Sequence, residues 1–267
     1  MSMLGIVDWG IGGLDTYAKL RARGSTQAVM YWADSGAPPY GTLSADALAR
    51  RLQSVVQRLA DAGCSQVVVA CNAASSILDD PELQAAARAC NCEVIGVIRP
   101  TLEAIERRQL DHVVVIGGRR TIESGAYARP LEASGIRVTA RVAQPLSALI
   151  ERGLTEGPQL EACLRQILEP VYDARHLVLA CTHYCAAQPA IEALLPSLET
   201  IIDPAHETLE WMERHWAASL AAPGPATTRL VTTGDPAATR LAARKAFGLQ
   251  LPEFEVLSRG PIELSQP

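Results

Sequence analysis

The stretch Val67-Val68-Val69-Ala70-Cys71-Asn72 constrains this chain more than any other. A short run of β-branched residues that stops at a small residue and then turns polar marks a parallel strand buried on both faces. Such a strand opens to solvent only at its carboxyl end. Cys71 therefore falls at a strand tip, where open α/β sheets place their ligands. The pattern returns about a hundred residues later as Leu177-Val178-Leu179-Ala180-Cys181-Thr182-His183. One cysteine in such a place commonly just packs. Two in matching settings, one followed by Asn72 and the other by Thr182 and His183, predict two half-sites facing each other.

The rest of the chain alternates in the same way. Further strands are predicted at Leu4–Asp8, Val29–Ala33, Glu93–Val97, His112–Ile116, Arg137–Ala143, Thr200–Asp203, Leu230–Thr233 and Phe254–Leu257. Between them lie helices: one from Leu14, one capped by Thr42 or Ser44 that aligns Leu48, Leu52, Val55, Val56 and Leu59 before Gly63, and one opened by Pro81. Later helices are expected to carry Ser124 and Tyr127, and to run over Leu146–Arg152, Leu160–Val171, Pro189–Leu195 and Glu207–Trp216, where Trp211 and Trp216 pack. Ala221-Ala222-Pro223-Gly224-Pro225 reads as a linker. Repeated β and α units predict parallel sheets covered by helices. Pro100 marks a change of domain, with a first α/β domain over 1–98 plus 207–267 and a second over 99–206.

Two turns invite a ligand. Trp9-Gly10-Ile11-Gly12-Gly13 follows the first strand, but a dinucleotide fingerprint would need glycine where Asp15 stands, so a plain tight turn is an equal reading. Asp8, at a strand tip, must be hydrogen-bonded or working. The loop Asp34–Gly41 is rich in proline and glycine, which fixes a backbone that can present its amides.

Composition excludes several classes. The net charge is −5 with a pI near 5.6, and no basic run exceeds the pairs Arg50-Arg51, Arg107-Arg108 and Arg119-Arg120. A nucleic acid or membrane surface is therefore not an expected partner, and those pairs read as solvated helix faces. No signal-like leader or membrane-length apolar segment is present, which predicts a cytoplasmic protein. The seven cysteines are odd in number and scattered, as reduced thiols are. Neither Cys90/Cys92 nor Cys181/Cys185 has zinc-knuckle spacing, so no metal is expected.

Taken together, Val7-Asp8-x-Gly10-x-Gly12-Gly13-Leu14, Pro39-Tyr40-Gly41, Ala70-Cys71-Asn72, Gly96-Val97-Ile98-x-Pro100, Thr121-x-x-Ser124-Gly125-x-Tyr127, Cys181-Thr182-His183-Tyr184 and Thr233-Gly234-Asp235-Pro236 resemble the glutamate racemase family, within the aspartate/glutamate racemase superfamily. The resemblance runs almost end to end. It implies two pseudo-symmetric α/β domains, a cleft site with one cysteine on each side, no cofactor, an amino-acid substrate and a homodimer. It assigns catalysis to Cys71 and Cys181 supported by Asp8, Glu151 and His183. It assigns substrate binding to Trp9, Pro39, Tyr40, Gly41, Asn72, Ala73, Thr121 and Thr182. The chemistry agrees, because inverting Cα needs an acid/base group on each face of the substrate.

The chain departs from the family pattern at three positions. Trp9 stands where a serine is usual, Ala73 where a threonine is usual, and Pro204 follows Asp203 in place of a serine. The first two remove hydroxyls from substrate-contacting positions, and Arg119 or Arg120 is a candidate replacement contact for a carboxylate. The leading expectation is a racemase of an acidic amino acid. The alternatives are a relative with altered substrate, such as a hydantoin racemase or decarboxylase, and a homologue that binds a small acid or a protein without turnover.

Overall fold

The computed structural model describes residues 3–220 and 226–257; the linker expected at 221–225 lies outside them. Ten strands are present among the described residues: β1 (Met3–Asp8), β2 (Val29–Ala33), β3 (Cys64–Val69), β4 (Glu93–Gly96), β5 (His112–Gly117), β6 (Arg137–Val142), β7 (His176–Ala180), β8 (Thr200–Ile202), β9 (Thr228–Thr232) and β10 (Glu255–Val256). Every pairing is parallel. One sheet has the order β10-β9-β2-β1-β3-β4 and the other β6-β5-β7-β8. Within each, the same winding recurs: 2-1-3-4 in the first is matched by 6-5-7-8 in the second. The crevice where winding reverses lies between β1 and β3 in one sheet and between β5 and β7 in the other, and a ligand fits at such a switch point. Cys71 follows β3 and Cys181 follows β7.

Local chemistry sets the helices that hold these strands. Helix Ala45–Asp61 is capped by Ser44, whose Oγ accepts from the Ala47 amide at 3.2 Å, and it buries Leu48, Leu52, Val55, Val56 and Leu59. Burial of each such side chain stabilises by roughly 1.5–3 kcal/mol. Gly63, at φ +94°, turns the chain out of it, a conformation that suits glycine. Asp80, Asp203 and Asp235 each cap a helix that begins with proline, at Pro81, Pro204 and Pro236. Pro204 thus occupies the first helical position, where its missing N–H costs nothing. Pro100 likewise sits in the first turn of helix Ile98–Arg107, through which the chain passes from one sheet to the other.

Several expectations need correction. Ser124 and Tyr127 lie between helices Arg119–Glu123 and Ala128–Ala133, because Gly125, at φ +67°, breaks the helix. Helix Pro204–His215 starts one turn before Glu207. One arginine is not solvated: Arg51 pairs with the fully buried Asp34, whereas Arg108 is exposed even as its Nη2 donates to buried Glu207 at 2.7 Å.

The two sheets share one continuous apolar core. Leu4, Ile6 and Leu14 from the first side and Leu164, Leu177 and Leu179 from the second belong to a single buried cluster. At its edge Lys19, on helix Leu14–Ala22, bridges Asp15 and Asp203 (2.5 Å to the latter), and these opposed carboxylates hold the ammonium charged.

Candidate active site

Both cysteines are only partly buried. At the first, Asp8 from the tip of β1 stands beside Cys71, since β1 and β3 pair up to Val7↔Val69. The Asp8 carboxylate is 2% exposed; its Oδ1 accepts from the Trp9 amide at 2.7 Å and its Oδ2 from the Thr182 hydroxyl at 2.9 Å. Burial raises its pKa despite His183 and these donors. Burial also raises the Cys71 thiol well above its ordinary range, the Asp8 charge adds to this, and the Cys181 charge contributes in turn. Each sulfur therefore lies within the other's field, and Cys71 is a thiol at neutral pH.

At the second, Cys181 leads the loop after β7. His183 Nδ1 lies 3.8 Å from its Sγ and His183 Nε2 lies 3.1 Å from Glu151 Oε1. Burial opposes the charged imidazole, but hydrogen bonds to Cys181 and Glu151 outweigh it and raise the pKa to about 10. At neutral pH an imidazolium thus sits between the sulfur and the carboxylate.

Three hydrogen bonds cross between the half-sites and frame the cleft. Thr182 reaches Asp8; the Tyr127 hydroxyl donates to Asn72 Oδ1 at 2.7 Å; Arg120 Nε donates to the Tyr40 carbonyl at 3.2 Å. Gly12 is required at this junction, because a Cβ there would fall 2.0 Å from Thr182 Oγ1. Asn72 Nδ2, next to Cys71 in the chain, is buried with no hydrogen-bond partner among the described residues. Ala73 presents its backbone N–H toward Cys71 and Pro39 and Gly41 are exposed at the loop, while Thr121 is buried in helix Arg119–Glu123.

Against this background the chain was compared with known proteins. The family model for Asp/Glu/Hydantoin racemase matches residues 13–211. The glutamate racemase of Shouchella clausii is 36% identical over 210 residues, covering 77% of this chain and 74% of its own. That of Ralstonia pickettii is 34% identical over 238 residues, 87% and 83% of the two chains. The chain belongs to the glutamate racemase family. Among solved structures, Thermus thermophilus glutamate racemase in complex with beta-chloro-D-alanine superposes with a TM-score of 0.84 at 31% identity, over 97% of both chains. The Francisella tularensis glutamate racemase in complex with D-glutamate gives a TM-score of 0.84 at 25% identity, over 96% of this chain and 97% of that one.

In this glutamate racemase relative the loop expected to act through its backbone is anchored by its side chains. The Tyr40 side chain turns away from the cleft: it is buried, its hydroxyl donates to Asp34 Oδ2 at 2.7 Å, and the same carboxylate accepts Arg51 Nε at 2.6 Å and Thr233 Oγ1 at 2.9 Å. Only the Tyr40 backbone remains for the site. Arg119 points outward to Glu123, 65% exposed, while Arg120 Nε donates to the Tyr40 carbonyl at 3.2 Å across the cleft. Trp9 is pinned by its Nε1 to the Ala37 carbonyl at 2.8 Å, which lays the indole against the loop.

Sequence reasoning passed over Ser147, whose Oγ is 3.5 Å from Cys181 Sγ, and the Asp34–Arg51 pair that anchors the Pro39-Tyr40-Gly41 loop. A signal existed for each. Ser147 is four residues before Glu151 on one helix, and Arg51 lies beside the buried Leu48–Leu52 stripe.

Proposed function

We propose that this family member, an amino-acid racemase and hence an isomerase, inverts glutamate at Cα by two-base proton transfer without a cofactor. The observation that carries the reading is the pair of sulfurs at matching switch points, each in its own polar surroundings. Cys71 is a thiol beside an acid, and Cys181 faces an imidazolium. In the direction that uses Cys181 as base, its sulfur takes the α-proton from one face of the substrate, and the Cys71 thiol delivers its own to the other. The reverse turnover exchanges the roles.

Asn72 Nδ2, Thr182 and the backbone N–H groups of Tyr40, Gly41 and Ala73 hold the carboxylates and amine, Trp9 and Pro39 wall the side chain, and Thr121 supports the turn opposite. Asp8 serves Cys71, while His183 with Glu151 serves Cys181. The relatives' substrate supports glutamate, and the unpartnered buried Asn72 donor supports an acidic ligand. The same likeness supports a homodimer in the cytoplasm; sedimentation reads the first.

In deuterated water, D- and L-glutamate should each lose their α-proton NMR signal as inversion proceeds. Cys71→Ala and Cys181→Ala should each lower racemisation by on the order of a thousandfold, and each retain α-proton exchange with one enantiomer only. Absence of exchange with every amino acid tried would remove the reading.

A further inference from the structure

We infer that Ser147 is a positioning residue for Cys181, its hydroxyl donating a hydrogen bond that holds the sulfur ready as proton acceptor on its face of the cleft. The role of that sulfur rests on the racemase reading above; the bond itself rests on geometry.

The helix Gln144–Glu151 presents Ser147 and Glu151 one turn apart, on the same face. Both converge on one atom by different routes. Ser147 Oγ is 3.5 Å from Cys181 Sγ directly, and Glu151 reaches the sulfur through His183. The helix cannot drift from this position. It buries Leu146, Leu149 and Ile150 in the shared core, and the Tyr184 hydroxyl, from the loop that carries Cys181, donates to the Ala143 carbonyl at 2.7 Å just before the helix starts. Serine and sulfur are therefore held together from both sides.

A hydroxyl is a better donor than a thiol, and a sulfur that is to take up a proton must accept hydrogen bonds, so the serine turns its proton to the sulfur. Cys71 has no corresponding arrangement among the described residues: its neighbours are Asp8 and the backbone N–H groups of Ala73 and Ala74. Topology explains the difference. The loop after β2 leads to Pro39-Tyr40-Gly41, whereas the equivalent segment after β6 is the helix with Ser147 and Glu151. The titratable groups facing Cys181 are His183 with Glu151 behind it, Tyr184 from its own loop, and Cys71 with Asp8 across the cleft.

Racemisation rates alone do not test this. Enantiomers have equal free energy in water, so any variant lowers kcat/KM by the same factor in both directions. The decisive measurement is the pH profile of iodoacetamide alkylation, read separately at Cys181 and Cys71 by peptide mass spectrometry, in the full-length wild-type, Ser147→Ala and Ser147→Thr proteins. Ser147→Ala keeps a good helix former on a partly exposed helix face and leaves the fold in place. It should move the Cys181 profile up by roughly one pH unit, leave the Cys71 profile in place and lower kcat/KM about tenfold. Ser147→Thr, which keeps the donor, should restore both. An unmoved Cys181 profile in Ser147→Ala, equal movement of both thiols, or a threonine variant that behaves like alanine would overturn the inference. A wild-type protein that racemises nothing would defeat the racemase reading alone, since the alkylation profiles still decide the role of Ser147.

Discussion

At the scale of single residues, the site separates two thiols by surroundings rather than by identity. Cys71 is kept protonated by burial next to Asp8, and Cys181 is kept next to a positive charge by His183. The histidine links this chemistry to stability. Its folded pKa, about 10, lies above the unfolded value near 6.5, so the imidazolium's contribution is complete below pH 6.5, declines as pH rises, and is gone above about pH 10. Replacing His183 with asparagine should therefore destabilise the protein most near pH 6.5. The gap in melting temperature between the two proteins should close toward pH 10, and a constant gap over that range would refute the assignment. These roles were half legible beforehand. His183 next to Cys181 in the chain suggested a partner, whereas Ser147 offered only its spacing of four from Glu151, and only the folded loop after β7 brings it to the sulfur.

At the scale of elements, the turn between β1 and helix Leu14–Ala22 does the joining. Gly10 and Gly12 read beforehand as a backbone prepared for a ligand or as a plain tight turn. The structure gives them another task, close approach of the two half-sites. A Cβ at Gly10 would lie 3.1 Å from Glu151 Oε1, and one at Gly12 would overlap Thr182. Gly12→Ala should push the Cys181 loop off Asp8. Unfolding in urea should show a loss of about 1–3 kcal/mol, with turnover down on the order of a hundredfold; unchanged values of both would show that the junction yields freely. Strands and several helix starts were legible for local reasons, since β-branched runs and the Ser44 and Pro81 starts specify them without tertiary help. The break at Gly125 was not, because an isolated glycine is compatible with a continuing helix until packing selects a positive φ.

At the scale of the whole molecule, two sheets with the same winding are fused by one core and by hydrogen bonds that cross the cleft. Such continuity predicts joint unfolding. Calorimetry should show a single transition, and Leu164→Ala, a deletion in the shared cluster at a fully buried position, should lower the stability of that one transition by about 3 kcal/mol. Two separated transitions, with only one shifted by the substitution, would show that the halves fold independently. Lys19, with Asp15 and Asp203 around it, reinforces the seam at its polar edge.

What the amino-acid order determined unaided was local and repetitive: buried strands ending in Ala-Cys, helices with their caps, and the motifs that relate the chain to its family. Those depend on neighbours within a few positions, where backbone preference and side-chain period act directly. Only the tertiary structure decided which way Tyr40 turns, that Arg51 and Arg108 neutralise buried carboxylates, that Arg120 Nε reaches a backbone carbonyl across the cleft, and that Ser147 meets Cys181. In most of these cases the partners lie far apart in the chain, and the choice among them is made by burial, where a polar group left unpaired is too costly to keep.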